Sequence, residues 1–135
     1  MAELNSLIKY KSHQLDQKKR ALAELYKQRE TLEADKKSLE QKFERERQLL
    51  KEDYSIDAQM TYTNYAQSVK KKMTELNARL QKLDERIEMA QNLMREAFGE
   101  LKKIEIIQAR RDEEEQQEIK NKEDRQMDEI GLEQH

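Results

Sequence analysis

The residues whose types suit catalysis or ligand capture are few in kind: His13 and His135, Gly99 and Gly131, and 29 carboxylates. A helical metal site needs ligands at fixed spacing, as in His-x-x-x-His or Glu-x-x-His, and neither histidine has such a companion. His13 reads as a surface residue. A phosphate cradle needs several glycines in one loop, and two isolated glycines do not build one. Paired carboxylates work as acid and base only where a concave pocket desolvates them, which a chain of two helices does not offer. There is no cysteine, which excludes a disulfide framework and thiolate metal sites and suits a reducing compartment. The reading is a non-enzymatic chain without cofactor or metal.

What remains is the chemistry of contact, and the elements that present it follow from two blocks of heptad-spaced apolar residues. Alternating steps of four and three from Leu4 give Leu4, Ile8, Lys11, Leu15, Lys18, Leu22 and Leu25, then Arg29, Leu32, Lys36, Leu39, Phe43, Glu46 and Leu50. The same steps from Tyr62 run through Ala66, Val69, Met73, Leu76, Leu80 and Leu83, then Ile87, Ala90, Met94, Ala97, Leu101, Ile104 and Gln108. Nine of the first 14 positions and 13 of the second 14 are apolar, a sustained coiled-coil seam.

Folding the chain back with Ile8 opposite Ile104 brings every seam position of one block onto a seam position of the other. Leu25 then meets Ile87, Leu32 meets Leu80, and the large Leu15 and Leu22 meet the small Ala97 and Ala90. Extending the first register across residues 51–61 instead puts Asp53 and Asp57 on the seam and misses Tyr62 by two positions, so the break is real. The expected fold is all-α, a long antiparallel two-helix coiled-coil hairpin whose second helix is the longer. It forms a single domain: helix 1 at about 4–52, a linker at about 53–60, helix 2 at about 61–125, and a polar acidic overhang over 109–135. Each arm holds about 47 residues, roughly 70 Å. Asn5 or Ser6 is expected to cap helix 1, and Asp57 or Thr61 helix 2. The overhang is expected as a solvated helix or a tail that orders on a partner, with charge pairs such as Glu118–Lys122.

Composition agrees. There is no proline, 41% of residues are charged and 35% are hydrophobic, enough for a narrow seam but not a layered core. The opening MAELNSLIKYK has no apolar run of signal-peptide length, and no stretch approaches 18 apolar residues. A cytoplasmic chain with no direct membrane insertion is expected. The net charge of −2 is uneven, because residues 112–135 alone carry ten acidic and three basic groups. Mixed signs along both arms argue against nucleic acid, and Lys70-Lys71-Lys72 reads as a solvated helix face.

Two features exceed what a seam needs. Lys11, Lys18, Arg29, Lys36 and Glu46 occupy seam positions of the first block; either their stems cover the seam while their charges reach water, or the second block's stripe is shared with another protein. Apolar residues also fall off the seam. Leu7, Tyr10, Phe98, Ile106 and Ile107 gather at the open end, and Tyr54, Ile56, Met60, Tyr62 and Tyr65 near the bend. Such groups anchor partners, or at the bend simply pack it.

Three strings carry a family resemblance: LNSLIKYKSHQLDQKKRALAEL, YTNYAQSVKKKMTELNARL and RRDEEEQQEIKNKEDRQMDEI. With the helical hairpin they resemble FliJ, the small coiled-coil family of the flagellar type III export apparatus. The string Tyr62-Thr63-Asn64-Tyr65 is similar to the aromatic–Asn–Tyr opening of that family's second helix. The resemblance implies a stalk akin to the coiled coil of the rotary ATP synthase γ subunit. It also implies three partners: a hexameric export ATPase (FliI-like), an export gate protein (FlhA-like) and export chaperones. On that model Leu7, Tyr10, Phe98, Ile106 and Ile107 face the ATPase, and Tyr54, Ile56, Met60, Tyr62 and Tyr65 face the gate. The chain would sit in the cytoplasm, peripherally associated with the inner-membrane export apparatus. Ser68 and Lys72 are polar where that family's gate-facing residues are apolar. A YscO-like protein of a virulence-type system has the same physics, and a structural rod dimerising through its seam is the alternative of another class.

Overall fold

A computed structural model describes the backbone of residues 2–133 and the side chains of 4–132. Two helices account for all of it except a three-residue connector. Helix α1 spans Ala2–Glu52 and helix α2 spans Ile56–Glu133, so the second is the longer. No strand occurs among the described residues. The fold is the expected all-α pair of antiparallel helices.

Contacts cluster into two units. One, the bend unit, is Lys18–Leu93; the other, the terminal unit, joins the chain before Lys18 to the chain after Leu93. In the bend unit, Arg29 Nε donates to Asp84 Oδ1 at 2.6 Å, and Phe43 stacks on Tyr62 and Tyr65, so rising numbers in α1 meet falling numbers in α2. In the terminal unit, Lys11 Nζ donates to Glu100 Oε2 at 2.8 Å with the same sense.

The core is the heptad stripe. Leu22, Leu25, Val69, Leu83 and Ile87 are buried in the bend unit, and Leu15 and Leu101 in the terminal unit. All seven occupy seam positions. Among the seam residues only Lys18 and Glu46 are exposed; the rest are half-buried or buried. A two-helix interface leaves each seam side chain one open flank, so none is completely enclosed. Two of the four long cationic seam residues, Lys11 and Arg29, pair with carboxylates across the helices. Lys11 turns to Glu100, and Arg29 bridges Asp84 and, within its own helix, Glu33. Their aliphatic stems stay over the seam while the charged ends sit at its edge.

The helix boundaries differ from those expected. The connector is only Asp53–Ser55, and α2 begins about five residues early. Ser55 is the cap: its Oγ accepts from Ala58 N–H at 3.1 Å, and its own N–H donates to Asp53 Oδ1 at 3.0 Å. These side chains replace the turn chemistry that glycine would otherwise supply. Asp57 and Thr61 lie inside α2, and Asn5 and Ser6 inside α1, so none of the four caps a helix. Past Gln108 no residue up to Leu132 is even half-buried, yet α2 continues as a solvated helix. The Glu118–Lys122 pair is not made; the described residues there bond instead through Gln108–Asp112 and Gln117–Asn121.

Candidate functional site

In the bend unit the connector and the first turns of α2 set the apolar residues in two groups. Tyr54 and Ile56, 81% and 76% exposed, project from the turn itself, and Met60 is exposed one helical turn on. Tyr62 and Tyr65 behave differently. Both are half-buried and lie against Phe43, with ring centroids 5.7 Å and 6.3 Å away and planes within 24°. Offset aromatic packing of this kind stabilises the hairpin end, so these two tyrosines pack the bend while keeping part of their surface in water. Leu49, 57% exposed, joins the open set although its neighbour Leu50 takes the seam position. Shallow hollows flank the turn, one of 410 Å³ beside Leu49, Leu50 and Tyr62, another of 290 Å³ beside Ile56 and Met60.

In the terminal unit Leu7, Tyr10, Phe98, Ile106 and Ile107 are all exposed. They do not form one patch. At about 100° per residue, Phe98 and Ile107 point to opposite flanks of α2, and Ile106 lies on its back, about 80° from one and 100° from the other. The apolar groups therefore ring the helix. Lys102 Nζ sits 5.4 Å from the Phe98 ring centre, a cation over the aromatic face, and Tyr10 Oη accepts from Gln14 Nε2 at 2.9 Å. Phe98, Ile106 and Ile107 lie about half-way along α2, which continues to Glu133.

Other exposed apolar side chains lie outside both groups: Tyr26, Met89 and Leu93 in the bend unit, and Ile119, Met127, Ile130 and Leu132 on the overhang. Tyr26 Oη accepts from Gln91 Nε2 at 2.6 Å across the helices. The overhang residues escape a heptad search because Ile119 and Ile130 are spaced by eleven, about three full helical turns.

Two ionisable groups at the interhelical contacts are shifted from their ordinary values. Glu100 is held below its ordinary carboxylate value by the Lys11 hydrogen bond and charge, with Lys103 adding to it. The Arg29 guanidinium is raised by its hydrogen bond and charge pairing with Asp84 and by Glu33. No group of three or more His, Asp or Glu side chains placed to hold a metal ion occurs among the described residues. No helix among them is long and apolar enough to cross a membrane.

Comparison with known families matches the chain to the model of the flagellar FliJ protein over residues 1–135. Neither the curated proteins nor the solved structures give a match. With the family match spanning every residue of a two-helix antiparallel chain, the protein belongs to the FliJ family and is a component of the flagellar protein export apparatus.

Proposed function

We propose that the chain acts as a non-enzymatic stalk of the export apparatus, linking a hexameric export ATPase to the membrane export gate and escorting export chaperones. The observation that carries this reading is the division of apolar residues. The buried ones all belong to the seam, while Tyr10, Phe98, Ile106 and Ile107 in one unit and Tyr54, Ile56 and Met60 in the other stay in water. Contiguous or clustered exposed apolar groups on a highly charged chain are costly to solubility and mark contact surfaces. Apolar residues spread around a helix fit the lumen of a hexamer, so the terminal unit faces the ATPase. Tyr54, Ile56 and Met60 face the gate, and association with the membrane is through that gate.

Site-specific photo-crosslinking tests the assignment. A crosslinker at position 106 is expected to capture the ATPase, and one at position 60 the gate protein. Capture of the gate from position 106 would overturn the orientation, and capture of neither protein from either position would overturn the stalk reading.

A further inference from the structure

In the bend unit a shallow cavity of 310 Å³ lies beside the seam, floored by the half-buried Leu39 and Leu76 and rimmed by Lys42, Lys72 and Arg79. Asp35 and Glu75 also line it, which leaves the rim basic. None of the three cations makes an ion pair among the described residues. Lys72 and Arg79 are seven residues apart, about 10 Å along α2, with Leu76 between them.

The overhang carries the complement. Residues 109–132 are helical and exposed throughout, and the acidic excess of the chain is concentrated there. Ile119 is half exposed to water with no seam to join. Glu115 and Glu123 lie one helical turn before and after it, on its own side and about 12 Å apart. Neither makes an ion pair among the described residues. Two acids flanking an isoleucine thus match, in spacing and in sign, two cations flanking a leucine.

We propose that the acidic overhang of one copy docks in this cavity of a second copy. Ile119 lies over Leu39 and Leu76, and Glu115 and Glu123 meet Arg79 and Lys72, with Lys42 adding to the field. Each copy holds both halves of the contact, so no other protein is required. The contact is largely between exposed charges over a small apolar floor. It is therefore weak and sensitive to salt, as the Debye length falls from about 8 Å at 0.15 M to about 3 Å at 1 M. It is independent of the ATPase and gate assignments, which rest on other residues.

Charge reversal of the full chain tests it. One variant carries Lys72→Glu and Arg79→Glu, the other Glu115→Lys and Glu123→Lys; all four positions are exposed, so helicity by circular dichroism should be unchanged. In sedimentation at low salt the wild type should associate with rising concentration, and each variant alone should associate about tenfold more weakly or not at all. Mixing the two variants should restore association, because each then offers the charge the other lacks, and salt near 1 M should abolish it. In the chain's cysteine-free background, Leu76→Cys and Ile119→Cys copies should form a mixed disulfide on oxidation. A wild type monomeric at all concentrations, variants that associate as the wild type does, or a mixture that stays monomeric would each overturn the proposal. Association that survives the reversals would assign the contact to a different surface.

Discussion

Replacing Leu83 by alanine removes three carbons from the most buried side chain, 4% exposed and at a seam position opposite Arg29. At about 0.8 kcal/mol per buried carbon the lost transfer term is roughly 2.4 kcal/mol. A cavity term normally adds to this, but two helices with open flanks can close on the gap, so the total should lie near the low end of the usual leucine-to-alanine range, about 2–3 kcal/mol. For a chain of this size that is a fall in Tm of roughly 10 °C. The control is Leu49→Ala, next to a seam leucine but 57% exposed, where about 0.5 kcal/mol or less is expected. Circular dichroism at 222 nm during heating or urea titration reads both. Equal shifts in the two variants, or a Leu83 shift within a degree or two of wild type, would show that the heptad seam is not what holds the helices together.

Three further outcomes follow from named contacts. Glu100 is depressed below its ordinary value of 4.5 by Lys11, so its stabilisation is complete above that value and is lost as pH falls through the lowered one. The stability gap between wild type and Glu100→Gln should therefore close on acidification below 4.5 and stay constant above it, as followed by urea midpoints at several pH values. Ser55→Ala removes the acceptor for Ala58 N–H and should cost about 1 kcal/mol, with hydrogen exchange accelerating first in the opening turn of α2. Gly99 lies inside α2, and a methyl group added to it would meet nothing within 4 Å, so Gly99→Ala should stabilise by about 0.5–1 kcal/mol in the same melts.

The antiparallel pairing is legible in the sequence because a heptad stripe is a period, and a period survives local exceptions. Lys11 and Arg29 break the apolar run yet keep their places, since a long stem covers the seam and a carboxylate across it receives the charge. Lys18 and Glu46 slip into water instead. The connector is shorter than the stripe suggests because loss of the seam is not loss of the helix. Residues 56–61 leave the stripe but are still hydrogen-bonded behind the Ser55 cap, and the overhang past Gln108 likewise stays helical. The contact residues are less legible. Composition flags Phe98, Ile106 and Ile107 together, whereas the helical angle spreads them around α2. For Tyr62 and Tyr65 the sequence leaves contact and local packing both open, and the structure shows their rings stacked on Phe43. Leu49 hides beside a seam leucine, and Ile119 and Ile130 hide at an eleven-residue spacing that a heptad search does not sample.

The division between a structural seam and exposed contact residues is tested most directly by titrating purified hexameric export ATPase into labelled chain, wild type against Phe98→Ala/Ile106→Ala/Ile107→Ala. All three side chains are about half exposed, so helicity and Tm should stay close to wild type while affinity falls by at least about tenfold. Unchanged affinity with intact helices would contradict the account, and so would a collapse of helicity showing that these residues belong to the core.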